Sequence, residues 1–148
     1  MQIEDLYYPA LILNLNRFTG DSVSYHRAET LDAIPDSCYI SQAITGDCEA
    51  LTALYGSPEN VAAFALAYSK MEPEEIEGAE GELAADFLNM HNGLFIVNLS
   101  DYGDTECSLG VPQFTPGGEA LRPYDRIRSM QVDFSFGPLF FLLSEREE

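Results

Sequence analysis

Apolar and polar residues alternate along the chain with two different periods, and the places where the period changes mark the elements. From Ile3 to Phe18, apolar residues fall at Ile3, Leu6, Tyr7, Leu11, Leu13 and Leu15. A short helix is expected there, because Pro9 interrupts a regular helix unless it lies within the first turn. Thr19 to Asp36 is polar and irregular and ends in the break Ile34-Pro35-Asp36. Cys38 to Thr45 and Cys48 to Tyr55 read as strands joined by Gly46-Asp47, a two-residue link in which glycine supplies the positive φ of a tight hairpin. Ser57-Pro58-Glu59 announces a helix: serine caps, proline is pre-set for the first helical position, and the acid suits the positive end of the helix dipole. Val61, Phe64, Ala65 and Tyr68 follow at i, i+3, i+4 and i+7, a core-facing stripe.

Glu72 to Glu82 is an acidic connector containing Pro73, Gly78 and Gly81. The next helix is expected to run through Leu94 and on towards Leu99, with Leu83, Phe87, Met90, Leu94 and Val97 as a continuous apolar face. A short strand is expected over Thr105 to Val111, followed by the turn-rich Pro112 to Gly118. Met130, Val132, Phe134 and Phe136 alternate with Gln131, Asp133 and Ser135, the pattern of a half-buried strand. Gly137-Pro138 is expected to turn the chain, and Leu139 to Leu143 is a wholly apolar run suited to a central strand. Strands on either side of a helical middle predict an α+β fold, a mostly antiparallel sheet with helices packed on it. Residues 1–148 are expected to form a single domain.

Composition adds limits rather than elements. With 148 residues and 46% hydrophobic content, the chain is long enough for a globular core. No apolar run approaches the ~20 residues that span a bilayer. The N-terminus, Met-Gln-Ile-Glu-Asp, carries acids where a secretory signal carries bases, so a cytoplasmic location and no membrane are expected. Cys38, Cys48 and Cys107 form no close-spaced pair, and His26 and His91 lie far apart, so no zinc motif is present and the cysteines are expected as reduced, mostly buried thiols. Twenty-five acids against seven bases give a net charge of −18 and no basic footprint for nucleic acid. The charge alone would equally suit a salt-adapted protein or a decoy of DNA.

The chemistry sits opposite the expected apolar face of the long helix. Glu82, Asp86, Asn89 and Gly93 stand at i, i+4, i+7 and i+11, which aligns two carboxylates, an amide and a glycine along one side. By itself such a stripe is a solvated helix face. Pro112, separated from Asn89 by twenty-two residues, distinguishes it. His91 points away from Asn89 and reads as a surface or groove histidine rather than a catalytic one.

With that proline, the stripe resembles the signature of the CheC/CheX/FliY phosphatases: an acid or serine, three residues, a glutamate, two residues, an asparagine, twenty-two residues, then a proline. The local text Glu-Leu-Ala-Ala-Asp-Phe-Leu-Asn-Met-His-Asn-Gly is similar to that family's active helix, and the likeness extends from Tyr39 through Thr45-Gly46-Asp47 to the Pro112 to Gly118 turn. Asp86 departs from the family's usual glutamate, and Glu82 stands where aspartate or serine is usual. The helix beginning at Pro58 lacks an acid-x-x-Asn, so the resemblance is to the single-site CheX type.

The resemblance implies a phosphatase of the aspartyl phosphate on a response-regulator receiver domain, in chemotaxis or related two-component signalling. It implies that Asn89 orients the attacking water and Asp86 pairs with the receiver's lysine, while Glu82, Gly93 and Pro112 contact the partner. No metal or cofactor is implied in this chain, Mg2+ being expected in the receiver. A homodimer is implied as well, with the C-terminal apolar strands extending a shared sheet. The alternative is a CheX-like module that binds a receiver without hydrolysing it.

Overall fold

The computed structural model describes residues 3–28, 38–115 and 126–146. Its elements are α1 (Glu4–Thr19), β1 (Ser24–Ala28), β2 (Cys38–Gly46), β3 (Ala50–Gly56), α2 (Pro58–Ser69), α3 (Pro73–Ile76), α4 (Glu80–Gly103), β4 (Cys107–Leu109), β5 (Gln113–Thr115), β6 (Arg126–Phe134) and β7 (Gly137–Glu145). The strands form one sheet of order β1-β6-β7-β3-β2-β4, with β5 also on β2, and the pairings are antiparallel. This is the α+β class that the alternation of periods predicts.

Helices α1, α2 and α4 bury their apolar sides on one face of the sheet. Tyr7, Leu11, Val61, Phe64, Phe87 and Phe95 meet Ile40, Ile44, Leu54, Val132, Leu139 and Phe141 in one core. The opposite face buries a smaller cluster of Ala53, Tyr55 and Leu142. The apolar run Leu139 to Leu143 therefore contributes to both faces, as a strand flanked by β6 and β3 must. Phe64 is fully buried against the rings of Phe87, Phe134 and Tyr68, and its truncation to alanine would cost about 3–5 kcal/mol.

The start of α2 follows its sequence signals: the Ser57 side chain accepts from Asn60 N, and Pro58 is the first helical residue. Elsewhere tertiary contacts override local rules. Pro9 lies beyond the first turn of α1, yet the helix runs on for 16 residues. Proline removes only the bond to the Asp5 carbonyl, both residues are exposed so water can reach that carbonyl, and Tyr7, Tyr8, Leu11 and Leu15 anchor the helix on either side.

Part of the segment read as irregular is a strand. β1 pairs residue for residue with β6 from Ser24↔Asp133 to Ala28↔Ser129. It is a polar edge strand, held by its partner's backbone rather than by an apolar face. The break at Ile34-Pro35-Asp36 lies outside the described residues. Likewise β5 occupies the start of the segment read as turn-rich.

Two turns differ from expectation. The β2–β3 register ends at Ile44↔Ala50, so the connection is longer than a two-residue hairpin. Gly46 has φ +117° for another reason: a Cβ there would stand 2.6 Å from the carbonyl oxygen of Glu106, while Asp47 N donates to that oxygen and Glu106 N donates to Asp47 Oδ2. The turn thus docks the chain leading into β4. At the C-terminal hairpin, Phe134 pairs with Gly137, so Ser135-Phe136 make the turn and Pro138 already pairs with Asp133 in the strand.

Both C-terminal strands are interior, β6 between β1 and β7, and β7 between β6 and β3. Their edges are occupied, which removes them as the route to a shared intersubunit sheet. Cys48 and Cys107, remote in sequence, stand with their sulfurs 2.9 Å apart as half-buried thiols, where docking of β4 on β2 brings them together. Burial and the neighbouring thiol push Cys48 up to about 12. The Cys38 side chain lies outside the described residues.

Candidate functional site

The site is built on α4, which is longer than the sequence pattern indicates and rotated relative to it. Its core side consists of Ala84, Phe87, Leu88, His91, Asn92, Phe95 and Leu99. Of the five residues expected to face inward, Phe87 is buried, whereas Leu94 and Val97 are 45% and 55% exposed. Hydropathy misplaces the face because two polar residues, His91 and Asn92, occupy buried positions.

Those two residues are held by side chains from three other elements. Asn14 of α1 hydrogen-bonds His91 Nδ1 at 2.9 Å, and the ring packs edge-on to Tyr7 and stacks on Phe87. His91 is thus buried rather than a surface histidine, and its Nε2 has no hydrogen-bond partner among the described residues. Burial holds its pKa down at about 4, so it is neutral at physiological pH. Asn92 donates to Gln42 Oε1 and Thr52 Oγ1, and accepts from the Tyr7 hydroxyl.

With that rotation set, the polar ridge faces outward. Glu82, Asp86 and Asn89 are exposed, and together with Ala85 and Pro112 they line an open groove of about 290 Å3. Gly93 lies on the same side one turn further along, outside the lining, and a Cβ there would meet nothing within 4 Å. Leu94 and Val97 add apolar surface to the exposed side of α4 outside that lining. A larger cleft, about 370 Å3, opens between the beginnings of α2 and α4 and shares Glu82, but it contains neither Asp86 nor Asn89. The groove is the better candidate because Glu82, Asp86, Asn89 and Pro112, the residues of the sequence pattern, converge there. Among the described residues no group of three or more His, Cys, Asp or Glu converges as a metal site would require.

Pro112 reaches the groove through a bulge. Ile44 pairs with Leu109 and Ser41 with Gln113, so Gln42 and Ala43 of β2 face Gly110, Val111 and Pro112. One extra residue bends the strand there. Gly110 is clamped from both sides, its N–H to the Ala43 carbonyl and its carbonyl to Gln42 Nε2. A gap of twenty-two residues in sequence thus becomes adjacency to Asn89 in space.

Two further side chains, neither given a site role by the sequence pattern, support the ridge. Tyr68 of α2 donates its hydroxyl to Asp86 Oδ2 at 2.6 Å, and desolvation followed by this bond raises the tyrosine above its ordinary value. Gln42 of β2, 1% exposed, donates to Asn89 Oδ1 at 2.7 Å. A signal for Gln42 was available: strand periodicity puts it on the same inward side as Ile40 and Ile44, where a glutamine needs partners. No comparable signal marks Tyr68, which looks like any other member of the α2 stripe.

No protein-family model matches the chain, and no curated protein matches it. Solved structures do. The chain is similar to the chemotaxis protein CheX from Vibrio vulnificus, with 12% identity, TM-score 0.80, and 99% of this chain and 100% of that one covered. It is similar to CheX from Desulfovibrio desulfuricans, at 14% identity and TM-score 0.78, over 99% and 100%. It is also similar to a structure from Borrelia burgdorferi, a CheX-CheY-BeF3-Mg complex, at 14% identity and TM-score 0.79, over 99% of each chain. At these identities the likeness shows the fold. The chain has the fold of the CheX proteins, in agreement with the resemblance carried by Glu82, Asp86, Asn89 and Pro112. Among the described residues no helix is long and apolar enough to cross a membrane.

Proposed function

We propose that this protein is a CheX-type phosphatase that hydrolyses the aspartyl phosphate of a response-regulator receiver domain in cytoplasmic chemotaxis or related two-component signalling. The observation that carries the reading is the convergence of Glu82, Asp86, Asn89 and Pro112 on one open groove, from positions spread over 31 residues of sequence.

The chemistry asks little of such a groove. An acyl phosphate is already reactive, and the receiver brings Mg2+ and a lysine to offset the phosphoryl charge. Positioning a water in line with the breaking P–O bond is the step left to the phosphatase. Water adds to phosphorus, the bond to the receiver's aspartate breaks, and inorganic phosphate and a free carboxylate leave. Asn89, exposed in the groove but fixed at its base, orients that water against the phosphoryl group. Asp86, whose Oδ1 has no protein partner among the described residues, pairs with the receiver lysine. Glu82 extends the ridge, Gly93 permits close backbone approach, and Leu94 and Val97 supply apolar contact area. The openness of the groove suits a protein partner better than an enclosed small molecule.

One observation favours a second reading, a receiver-binding module without hydrolysis. Asp86 is a methylene shorter than glutamate and is drawn towards α2 by Tyr68. The deciding assay follows phosphate loss from phosphorylated CheY-type receivers with and without the protein. Acceleration that disappears in Asn89→Ala, with the far-ultraviolet spectrum unchanged, supports the phosphatase. Equal acceleration by the variant removes the mechanism. Binding without acceleration, with activity gained in Asp86→Glu, supports the silent module.

A further inference from the structure

The hydrogen bonds beneath the groove form a closed set whose polarity is dictated by two backbone carbonyls. Gln42 Nε2 lies 2.9 Å from the Gly110 carbonyl oxygen, which can only accept. The end of the Gln42 amide at that point must be nitrogen, so its other hydrogen goes to Asn89 Oδ1 at 2.7 Å. Gln42 Oε1 then accepts from Asn92 Nδ2 at 2.8 Å, and the second hydrogen of Asn92 goes to Thr52 Oγ1 at 2.8 Å. Thr52 passes its own hydroxyl hydrogen to the Gln42 backbone carbonyl at 3.0 Å, and Asn92 Oδ1 accepts from Tyr7 at 2.7 Å. Flipping any amide would set donor against donor or acceptor against acceptor elsewhere in the set.

From this geometry we infer that Gln42 is a positioning residue for the groove: it fixes the rotamer and polarity of the Asn89 carboxamide, so that Nδ2 is the end presented to the partner. This rests on the reading of Asn89 given above. An unsupported surface asparagine swaps its amide ends freely. Here Oδ1 is tied to a side chain that is itself 1% exposed and spends both amide hydrogens on fixed acceptors. The donor end, Nδ2, meets oxygen acceptors, either those of the phosphoryl group or that of the attacking water. The Gln42 N–H polarises the amide and strengthens those donors.

The network is also costly enough to need a reason. Tyr7, Gln42, Thr52 and Asn92 are all 1% exposed or less, where well-packed apolar residues would hold the core equally well. What an apolar set would not supply is a defined orientation at Asn89. The same Gln42 nitrogen sets the bulge that carries Pro112, so one buried amide aligns both sides of the groove.

Gln42→Met, which keeps length and volume but has no donor, tests the inference against a CheY-type receiver carrying phosphate or beryllofluoride with Mg2+. The expected result is a fall in the dephosphorylation rate of about 10- to 100-fold, with the dissociation constant for the beryllofluoride form unchanged within about twofold. A variant that keeps the wild-type rate, or that loses affinity in the same proportion as rate, overturns the positioning role. The wild-type protein supplies a readout independent of folding and of activity. Nuclear magnetic resonance should show a scalar coupling across the bond from Gln42 Nε2 to the Asn89 carboxamide carbon, with Gln42 amide hydrogens that exchange slowly with solvent. Absence of that coupling overturns the inference even in an active phosphatase. Failure of the wild type to act on any receiver would remove the proposed function, while the coupling would still decide the orientation of Asn89.

Discussion

The hydroxyl of Tyr68 donates to Asp86 Oδ2 across the α2–α4 interface, at 2.6 Å. A short carboxylate on α4 is braced by a long side chain from the neighbouring helix. The hydroxyl is raised above its ordinary value, first by desolvation and then by the carboxylate, so it remains a donor at any working pH. Tyr68→Phe should leave the fold intact and lower stability by about 1 kcal/mol or less, because the pair is largely exposed. Receiver affinity should fall a few-fold as Asp86 loses its fixed rotamer. Denaturant midpoints and titration with a beryllofluoride-loaded receiver measure the two effects, and unchanged affinity would separate Asp86 from docking.

Gly93 offers a substitution in which stability and function should move in opposite directions. A methyl group there meets nothing within 4 Å, and the residue lies inside the 24-residue helix α4. Gly93→Ala should therefore stabilise the protein by about 0.5–1 kcal/mol through helix propensity. If a receiver backbone approaches this face closely, the same methyl weakens binding. A variant that is more stable and binds equally well would move the contact away from Gly93.

His91 should give the protein an acid limit. Its folded pKa is about 4 against an ordinary 6.5, so between those values the unfolded chain binds a proton that the folded one refuses. Stability contributed by the neutral ring is fully present above pH 6.5 and falls as pH drops towards 4, by up to about 3 kcal/mol. Subtracting the profile of His91→Phe isolates this from the many carboxylates titrating nearby. The wild type should lose stability more steeply over that window, and parallel profiles would show that the ring accepts a proton where it stands.

Gly46→Ala should be disproportionately harmful for a loop position. Its φ of +117° is strained for any other residue, and the added methyl would meet the Glu106 carbonyl, a backbone atom that cannot swing aside. A loss of about 2 kcal/mol or more is expected. Hydrogen exchange should localise the damage to β4 and its pairing with Gly46, Thr45 and Ile44. Uniform loss across the sheet would contradict a local docking role.

What the sequence determined by itself is local and covalent: the cap at Ser57, the α2 stripe, the alternation that makes β6 a half-buried strand and β7 a central one, and the spacing of Glu82, Asp86, Asn89 and Pro112. These were legible because each depends on residues within a turn, a strand or a fixed distance of one another. Tertiary structure decided the rest. α1 continues through Pro9 because its flanking tyrosines and leucines are buried, and β1 exists because β6 offers it a backbone. The rotation of α4 depends on partners that no periodicity displays: His91 and Asn92 are buried because Asn14, Tyr7, Gln42 and Thr52 satisfy them. That rotation turns Asn89 outward and leaves Leu94 and Val97 exposed, so the exposed face of α4 follows from buried hydrogen bonds whose two ends lie 40 to 85 residues apart.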